Sequence, residues 1–527
     1  MSETNRLRRA GALPPWAVVG VLVLALAVLG LAAVFRGTEY DENYSVFVTG
    51  GIPRPDWPST SFVPDSVAQP FVQRADQATI LEAIRRTDVH PPLYFQLLGA
   101  WREVAGDRLV VLRLPSILAT LGTLAVWMLI AARAGQSAVL TGLMLTFCYG
   151  FMSLGYVVRG YALAQFLIAL SVLAAVTAWR QGRGAWVPAA LAGLAGGLAC
   201  LTNYLAVFPL AAVLGWLVLA APGWPERGRR MLAAGLPFLS CMLLVAPVWL
   251  DQQKLAVSQS AGQFAPFSLA DTLHRLLQFE TASVLGGLPL YVQGMARSVA
   301  GTGLALLLGA IGLLTLWLWR GLGPLRWVWL LGGLAAPAGL VLLGALFGNA
   351  PVELRYLVLG LPFTAALIAV VAEAWQRRSP TAAAWGLGVL LLVQATGTAG
   401  MIWHPATRQP YRDMIAALRL ELTPGTVVMV PFGQDGVGLV GSMLRELPGQ
   451  QPVLVLRDGD AAAAPARAAG FDRLLLLGFG ARDRASDRQW RSAAAKLREA
   501  PEWHRAGLVW QEQRGGSVEI FEQRVVN

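Results

Sequence analysis

The chain has 527 residues, of which 55% are hydrophobic and 14% are charged, and its net charge is +11 at pH 7. A mean hydropathy of +0.54 is higher than the core of a soluble protein of this length requires, so the composition excludes an ordinary soluble domain and predicts a polytopic membrane protein. The three cysteines, Cys148, Cys200 and Cys241, lie in apolar segments, which is typical of small buried side chains and argues against a disulfide or metal framework.

The first apolar segment, residues 14–35, follows a short basic stretch that contains Arg6, Arg8 and Arg9. It is longer than the roughly 7–15 apolar residues of a secretory signal, and no small-residue cleavage site follows it before the chain turns polar. We therefore predict that this segment is retained as the first membrane span.

Further apolar segments are long enough to cross about 30 Å of hydrocarbon as helices. Together with the first segment, they predict about eleven transmembrane helices. The later segments are residues 111–132, 137–157, 161–179, 185–202, 204–221, 232–250, 298–319, 327–347, 355–374 and 382–402.

Arginine marks one side of the predicted membrane. With the N-terminus in the cytoplasm, the cytoplasmic turns are AARAGQ, RQGRG, PERGRR, RGLGPLR and QRRSPT, and each contains arginine, as the positive-inside rule requires. Topology therefore explains the excess of positive charge, and the basic composition implies no nucleic-acid partner. The sequence predicts an integral protein of the cell inner or plasma membrane, in contact with membrane lipid.

The composition changes near His404. Apolar segments in GTVVMVPFG, PVLVLRDG and FDRLLLLGFG predict short strands, and DRQWRSAAAKLREA predicts a helix. We therefore divide the chain into a transmembrane domain, residues 1–402, with a long outward loop at residues 36–110, and a C-terminal extracytoplasmic α/β domain, residues 403–527.

The interiors of the predicted spans contain almost no ionisable residues, whereas ion-coupled carriers usually need such groups near the membrane midplane. This pattern argues against a secondary transporter. The ionisable residues lie instead at the outward ends of the spans, namely Asp41, Glu42, His90, Arg113, Arg159, Glu353 and Arg355. The sequence therefore predicts a polar site at the outward face of the membrane.

Adjacent carboxylates occur in TEYDENYS, shortly after the first span. A fixed and partly desolvated carboxylate at Asp41 could deprotonate an acceptor hydroxyl or amine as it attacks. The alternative is a solvated acidic loop, which an isolated Asp-Glu pair does not exclude.

The stretch DVHPPLYFQLLGAW predicts the start of a helix, because proline is favoured in the first turn, where its missing N–H would be unpaired anyway. His90 would then lie near the positive end of the helix dipole, a natural place to hold an anion. It could donate to a phosphate or a sugar, or it could simply cap its own helix.

Two further motifs, VVRGYALAQFL and VELRYLVLGLPF, place Arg159 and Arg355 at the outward ends of spans, each followed closely by a tyrosine. Arginine keeps its charge at a membrane surface, and its planar fork suits a lipid-linked phosphate. The alternative is contact with lipid headgroups, which is common for arginine near helix ends. Their position opposite the arginine-rich turns favours a functional role.

These motifs, the Asp-Glu pair in the first outward loop together with HPPLY, RGYAL and RYLVLGLP, resemble the GT-C membrane glycosyltransferases. The similarity is to the glycosyltransferase family 39 type, which includes protein mannosyltransferases and the aminoarabinose transferases of lipid A, and it covers roughly residues 1 to 402. It implies a GT-C fold, a polyprenyl-phosphate sugar donor, an extracytoplasmic glycan, lipid or protein acceptor, and inversion at the anomeric carbon.

The resemblance also implies roles for individual residues. Asp41 would be the general base on the acceptor, Glu42 would position donor or acceptor, and His90 would lie next to the donor. For Arg159 and Arg355, binding of the lipid phosphate follows from charge and placement. The tyrosines of the same motifs, predicted to contact donor or acceptor, are Tyr94, Tyr161 and Tyr356.

Asp41 and Glu42 alone fall short of a metal cage, so we predict no cofactor and no obligatory divalent metal. Two other functions remain open from the residues. A lipid-linked glycan flippase or other multi-span transporter would also combine many spans with surface arginines. A third alternative makes the C-terminal domain a ligand-binding sensor anchored by the membrane part.

Overall fold

The computed structural model describes residues 15–260, 264–403, 411–434, 436–480, 483–511 and 516–524, and the basic stretch with Arg6, Arg8 and Arg9 lies outside them. The chain forms two compact units. The first, called here the helical unit, comprises Met1–Val34, Ile84–Leu98 and Val110–His404. The second, called the mixed unit, comprises Phe35–Ala83, Gly99–Leu109 and Pro405–Asn527.

The helices and strands are given in chain order. The helices are α1 Pro15–Phe35, α2 Tyr40–Thr49, α3 Gln69–Val72, α4 Gln77–Thr87, α5 Leu93–Ala105, α6 Leu109–Arg133, α7 Ala138–Thr146, α8 Tyr149–Ser153, α9 Tyr161–Gln181, α10 Trp186–Cys200, α11 Val207–Leu219, α12 Trp224–Ser260, α13 Leu269–Val284, α14 Gly294–Leu318, α15 Arg326–Phe347, α16 Leu354–Leu357, α17 Leu361–Arg378, α18 Pro380–Trp403, α19 Tyr411–Ala417, α20 Gly436–Glu446, α21 Ala464–Arg467 and α22 Arg484–Glu499. The strands are β1 Thr426–Pro431, β2 Val453–Leu456, β3 Arg473–Gly478, β4 Trp503–Gln511 and β5 Ser517–Gln523.

Within the described ranges, 7 helices are long and apolar enough to cross a membrane. They are Pro15–Phe35, Leu109–Arg133, Tyr161–Gln181, Trp224–Leu255, Gly294–Gly321, Arg326–Phe347 and Pro380–Ile402. Two shorter apolar helices, Trp186–Cys200 and Tyr204–Leu219, accompany them. The predicted count of about eleven spans is therefore not confirmed.

Two of the predicted spans are interrupted. Residues 137–157 form α7 and α8 with a break at Phe147 and Cys148, and residues 355–374 form α16 and the start of α17. At the first break, the Thr398 hydroxyl of α18 donates to the carbonyl oxygen of Phe147 at 3.1 Å. Non-helical backbone inside a bundle is tolerated where neighbouring helices provide such partners.

Close packing in the helical unit depends on glycine. A Cβ atom at Gly193 of α10 would collide with the carbonyl oxygen of Ala234 on α12. One turn later, a Cβ at Gly197 would lie 2.6 Å from the Cβ of Cys241. Small residues let the two helix backbones approach closely, which is how membrane helices gain packing energy without a hydrophobic driving force between them.

The mixed unit contains a five-stranded sheet of order β2-β1-β3-β5-β4. Strands β2, β1 and β3 are parallel, and β5 is antiparallel to both β3 and β4. Alternate residues of β1 enter two different hydrophobic cores: Val428 packs in one and Val427 in the other, as the two-residue period of a strand requires. The strands predicted in GTVVMVPFG, PVLVLRDG and FDRLLLLGFG are present.

Part of the predicted outward loop, residues 36–110, packs with this sheet. Phe62 exchanges backbone hydrogen bonds with Val453 of β2, and the side chains of Phe47 and Trp57 share a core with Met443 of α20. The predicted domain division placed residues 36–110 with the membrane part, whereas the compact units place most of that loop with the C-terminal strands. The physical reason is the shared hydrophobic core.

Arg102 connects several segments of residues 36–110 by hydrogen bonds. Its fully buried guanidinium donates to the carbonyl oxygens of Val46, Phe71 and Gln73 at 2.8, 3.3 and 2.9 Å, and its Nε donates to Asp107 at 2.7 Å. Burial of a charge is tolerated when it is paired and hydrogen-bonded in this way. Arg102 therefore has a structural role that its place in the sequence did not reveal.

Candidate active site

Asp41 and Glu42 lie in the first turn of α2, in the mixed unit, and both are buried. Helix α2 packs against α20 of the same unit, where Asn43 donates to the Ser442 hydroxyl at 2.8 Å and to the carbonyl oxygen of Gly438 at 3.2 Å. A Cβ at Gly438 would lie 2.8 Å from the ring of Tyr44, so glycine is needed for this approach. The C-terminal part of the chain thus fixes the helix that carries the predicted base.

Glu42 also has a local structural role. One of its carboxylate oxygens accepts a hydrogen bond of 2.9 Å from the backbone N–H of Glu39, which closes a capping box at the start of α2. The side chain of Glu39 in turn pairs with Arg36 at 3.4 Å. The roles predicted for Asp41 as base and for Glu42 in substrate positioning stay predictions.

His90 and Arg159 meet in the helical unit, around a carboxylate that the sequence analysis did not single out. Asp88 Oδ1 lies 2.6 Å from His90 Nδ1, and it also accepts a hydrogen bond of 2.9 Å from the His90 backbone N–H. Arg159 Nη2 lies 3.2 Å from Asp88 Oδ2 and 2.9 Å from His90 Nδ1. Asp88 and Arg159 are buried, whereas the His90 side chain is 26% exposed.

His90 Nδ1 has two polar neighbours of opposite kind. The carboxylate of Asp88 lies 2.6 Å away and accepts hydrogen bonds, whereas Arg159 Nη2 lies 2.9 Å away and can only donate. The guanidinium of Arg159 also donates to the other oxygen of Asp88. Asp88 therefore holds both the imidazole ring and the guanidinium in place.

Burial would by itself raise the pKa of Asp88, but the positive charges of Arg159 and His90 and the hydrogen bonds from His90 hold this pKa well below its usual range. Asp88 is therefore ionised at neutral pH. An ionised carboxylate in this position stabilises the positive charge of the Arg159 guanidinium.

The surrounding residues hold this cluster in place. Gln252 of α12 donates to the carbonyl oxygen of His90 at 2.9 Å and accepts from the Tyr204 hydroxyl at 2.9 Å. The guanidinium of Arg159 stacks over the ring of Phe95 at 5.2 Å. The predicted helix start is confirmed, since α5 begins at Leu93, three residues after His90.

Tyr94 and Tyr161 are buried at 3% and 2% exposure, so they pack inside the helical unit. A Cβ at Gly160 would lie 2.9 Å from the carbonyl oxygen of Thr202 and 3.3 Å from Tyr94 Cβ, which explains the glycine of the RGY motif. The predicted contacts of both tyrosines with donor or acceptor stay predictions.

Arg355 lies on α16 in the same unit and forms an ion pair of 2.7 Å with Glu353. Its guanidinium lies over the ring of Tyr356 at 5.4 Å. Arg113, which was also predicted to lie at an outward end, is fully buried and donates to the carbonyl oxygen of Ala33 near the end of α1 at 2.6 Å. Arg113 therefore supplies a hydrogen-bond donor to a carbonyl group in the last turn of α1.

Two carboxylates of the helical unit, Asp88 and Glu280, were not among the site residues predicted from the sequence. The signal for Asp88 was present in the motif DVHPP, because a carboxylate two residues before a histidine can reach both its backbone N–H and its ring. Glu280 lies in α13, which falls between the predicted spans at residues 232–250 and 298–319. It belongs to no motif.

The chain has relatives among known proteins. Residues 89–250 match the model of a family described as dolichyl-phosphate-mannose-protein mannosyltransferase. Among solved structures, the chain is similar to apo ArnT from Cupriavidus metallidurans, with 13% sequence identity and a TM-score of 0.53 over 95% of this chain and 97% of that one.

Two other solved structures are less similar in fold. ArnT from Cupriavidus metallidurans bound to undecaprenyl phosphate has 14% identity and a TM-score of 0.49, over 97% of this chain and 98% of that one. The arabinofuranosyltransferase AftD from Mycobacteria has 14% identity and a TM-score of 0.41, over 98% of this chain and 40% of that one. No curated protein sequence matches the chain significantly.

The chain is therefore a membrane protein with the fold of the GT-C glycosyltransferases. The resemblance in its sequence motifs is confirmed by the likeness to ArnT for the fold and by the mannosyltransferase family for residues 89–250. That segment includes His90, Tyr94, Arg159 and Tyr161.

Proposed function

We propose that this protein transfers a sugar from a polyprenyl-phosphate donor to a glycan, lipid or protein acceptor outside the cytoplasm, with inversion of configuration. The observation that carries the proposal is the cluster of Asp88, His90 and Arg159, of which His90 and Arg159 lie in the segment that matches the mannosyltransferase family. Buried charge in a membrane protein is costly and usually functional, and this cluster presents a partly exposed imidazole backed by a buried arginine.

The donor class is supported by what the relatives bind. The description of the matching family names dolichyl phosphate mannose, and a structure of ArnT has been solved with bound undecaprenyl phosphate. We propose that His90, Arg159 and Arg355 bind the phosphate of such a lipid, because imidazolium and guanidinium groups form strong charge-assisted hydrogen bonds with phosphate. Tyr94, Tyr161 and Tyr356 are proposed to complete the binding of donor or acceptor.

The proposed chemistry needs one base and a stabilised leaving group. Asp41 takes the proton of the acceptor hydroxyl or amine while that group attacks the anomeric carbon, and Glu42 supports its position. The bond from the anomeric carbon to the phosphate oxygen breaks as the new bond forms, and the cationic side chains stabilise the charge that develops on the phosphate. One displacement inverts the configuration, so no second carboxylate nucleophile is required.

The orientation follows the positive-inside pattern. We propose that the N-terminus faces the cytoplasm and that the C-terminal α/β domain lies outside it, in the cell inner or plasma membrane, because every predicted cytoplasmic turn carries arginine. The carrier lipid would then present its sugar at the outward face.

The experiment measures release of undecaprenyl phosphate by the full chain in proteoliposomes. The donor is undecaprenyl phosphate mannose, and the acceptor is an envelope extract from a strain that lacks the gene. We expect undecaprenyl phosphate to appear in step with sugar transfer, and we expect His90→Gln to reduce the rate about 10- to 100-fold, as loss of a hydrogen bond to a charged group does.

His274→Gln is the matched control, because His274 is exposed on α13 and contacts Gln278 rather than the cluster. It should retain the wild-type rate. Movement of the intact lipid-linked sugar across the bilayer without release of undecaprenyl phosphate would contradict sugar transfer and support the flippase alternative.

We propose that the reaction needs no divalent metal, since Asp41 and Glu42 are adjacent carboxylates and a cation site needs a fuller set of oxygen ligands. The transfer rate should therefore be unchanged after exhaustive dialysis against EDTA. A loss of rate that Mg²⁺ or Mn²⁺ restores would contradict this prediction.

A further inference from the structure

Helix α13 carries a carboxyl group in an unusual place. The end of α13 packs beside α18, where Gln394 donates to the carbonyl oxygen of Val284 at 2.7 Å. Gln394 lies well inside the candidate span Pro380–Ile402, so α13 ends alongside the interior of a membrane span. Glu280 lies one turn before that end.

Glu280 has one polar partner. The Thr364 hydroxyl of α17 donates to Glu280 Oε1 at 3.3 Å, which is long for a hydrogen bond to a carboxylate. No basic side chain of the described residues lies within salt-bridge distance of it, although other carboxylates of the helical unit, such as Asp88 and Glu353, are paired with arginine. Glu280 is nevertheless intermediate in exposure rather than fully buried.

A second polar group next to Glu280 also lacks a partner. Ser283 lies one turn further along α13, on the same face of the helix, and its hydroxyl is fully buried without a hydrogen bond among the described residues. Gly150 of α8 packs directly against it, since a Cβ there would lie 2.7 Å from Ser283 Cβ. A buried hydroxyl of this kind normally finds a partner.

The surroundings of Glu280 disfavour its ionised form. Burial raises its pKa to about 7, and the hydrogen bond from Thr364 offsets only part of this effect. Its place near the C-terminal end of a helix disfavours negative charge further. Both effects oppose ionisation of Glu280, so an uncharged side chain at this position should not destabilise the protein.

The position connects Glu280 with the proposed donor site. The neighbouring Phe279 packs in one cluster with Leu357 and Tyr356 of α16, the short helix that also carries Arg355. A polar group at this place is therefore close to a helix already proposed to bind the donor.

We propose that Glu280, together with Thr364 and Ser283, forms a subsite that accepts hydrogen bonds from hydroxyl groups of the donor sugar. This inference rests on the proposed function. A sugar carries several hydroxyl groups on a compact ring, and each of them can donate a hydrogen bond. The carboxyl group of Glu280, which has one long hydrogen bond, can accept such bonds. The subsite would select the donor sugar and leave the leaving-group chemistry to His90 and the arginines.

The test compares wild type with Glu280→Ala, using undecaprenyl phosphate mannose and its monodeoxy analogues in the proteoliposome assay. We expect KM for the donor to rise roughly 10- to 150-fold in Glu280→Ala, with a smaller change in kcat, as loss of a hydrogen bond to a charged group predicts. One deoxy analogue should impair wild type and cause no further loss in Glu280→Ala, because the removed hydroxyl and the removed carboxyl are partners.

Thermal stability separates this role from a structural one. Glu280→Gln should melt at the same temperature as wild type or higher, while KM for the donor rises. Equal effects of every deoxy analogue in wild type and Glu280→Ala, or a rise of KM for the acceptor instead, would overturn the inference. An inactive wild type would overturn the proposed function and this inference with it.

Discussion

Asp41→Asn is expected to abolish nearly all sugar transfer while the protein still folds and inserts. The amide cannot take a proton from the acceptor, and a positioned general base contributes about 100- to 10,000-fold to a rate. Asparagine has nearly the same shape as aspartate, so α2 should keep its packing against α20 through Asn43 and Ser442. The measurement is kcat for undecaprenyl phosphate release.

The control for this prediction is Asp271→Asn, which makes the same chemical change at an exposed position in the first turn of α13. It should leave kcat unchanged. Retention of a wild-type rate by Asp41→Asn, with the control also active, would assign the base to another residue.

Asp88→Asn should reduce both stability and transfer. It leaves the guanidinium of Arg159 buried without its carboxylate partner, and breaking a buried ion pair on one side costs about 3–5 kcal/mol. It also replaces the carboxylate 2.6 Å from His90 Nδ1 with a neutral amide, so the contact that orients the ring becomes weaker. Thermal melting and the donor KM measure the two effects.

The double variant Asp88→Asn/Arg159→Gln tests whether the two losses have one cause. Removing both charges should recover part of the melting temperature, because no uncompensated charge stays buried. It should not recover transfer, since the proposed phosphate ligand is gone. Full activity in Asp88→Asn would show that His90 needs no fixed orientation.

The membrane class, several long apolar helices, the C-terminal strands and the helix that follows His90 could all be predicted from the sequence, because each depends on local hydrophobic period or on a proline signal. The exact number of spans could not. The breaks at Phe147 and before Leu361 interrupt apolar segments whose composition is continuous, and only a partner on another helix, such as Thr398, makes a break tolerable.

His90 and Arg159 could be predicted singly, since their charge stands out in apolar surroundings. Their contact could not, because 69 residues separate them along the chain and the carboxylate that joins them looked like a loop residue. Glu280 could not be predicted for a different reason. A single acid between two apolar segments is ordinary, and only the fold brings α13 beside the interior of α18.

By itself the sequence determined that this is an apolar membrane chain with a C-terminal α/β part, since the free energy of moving a side chain out of water depends mainly on that side chain. Only the tertiary structure decided that Asp88 bridges His90 and Arg159 and that α20 of the C-terminal part supports the helix of Asp41. These contacts join distant parts of the chain, and their geometry depends on side-chain packing that no local pattern encodes.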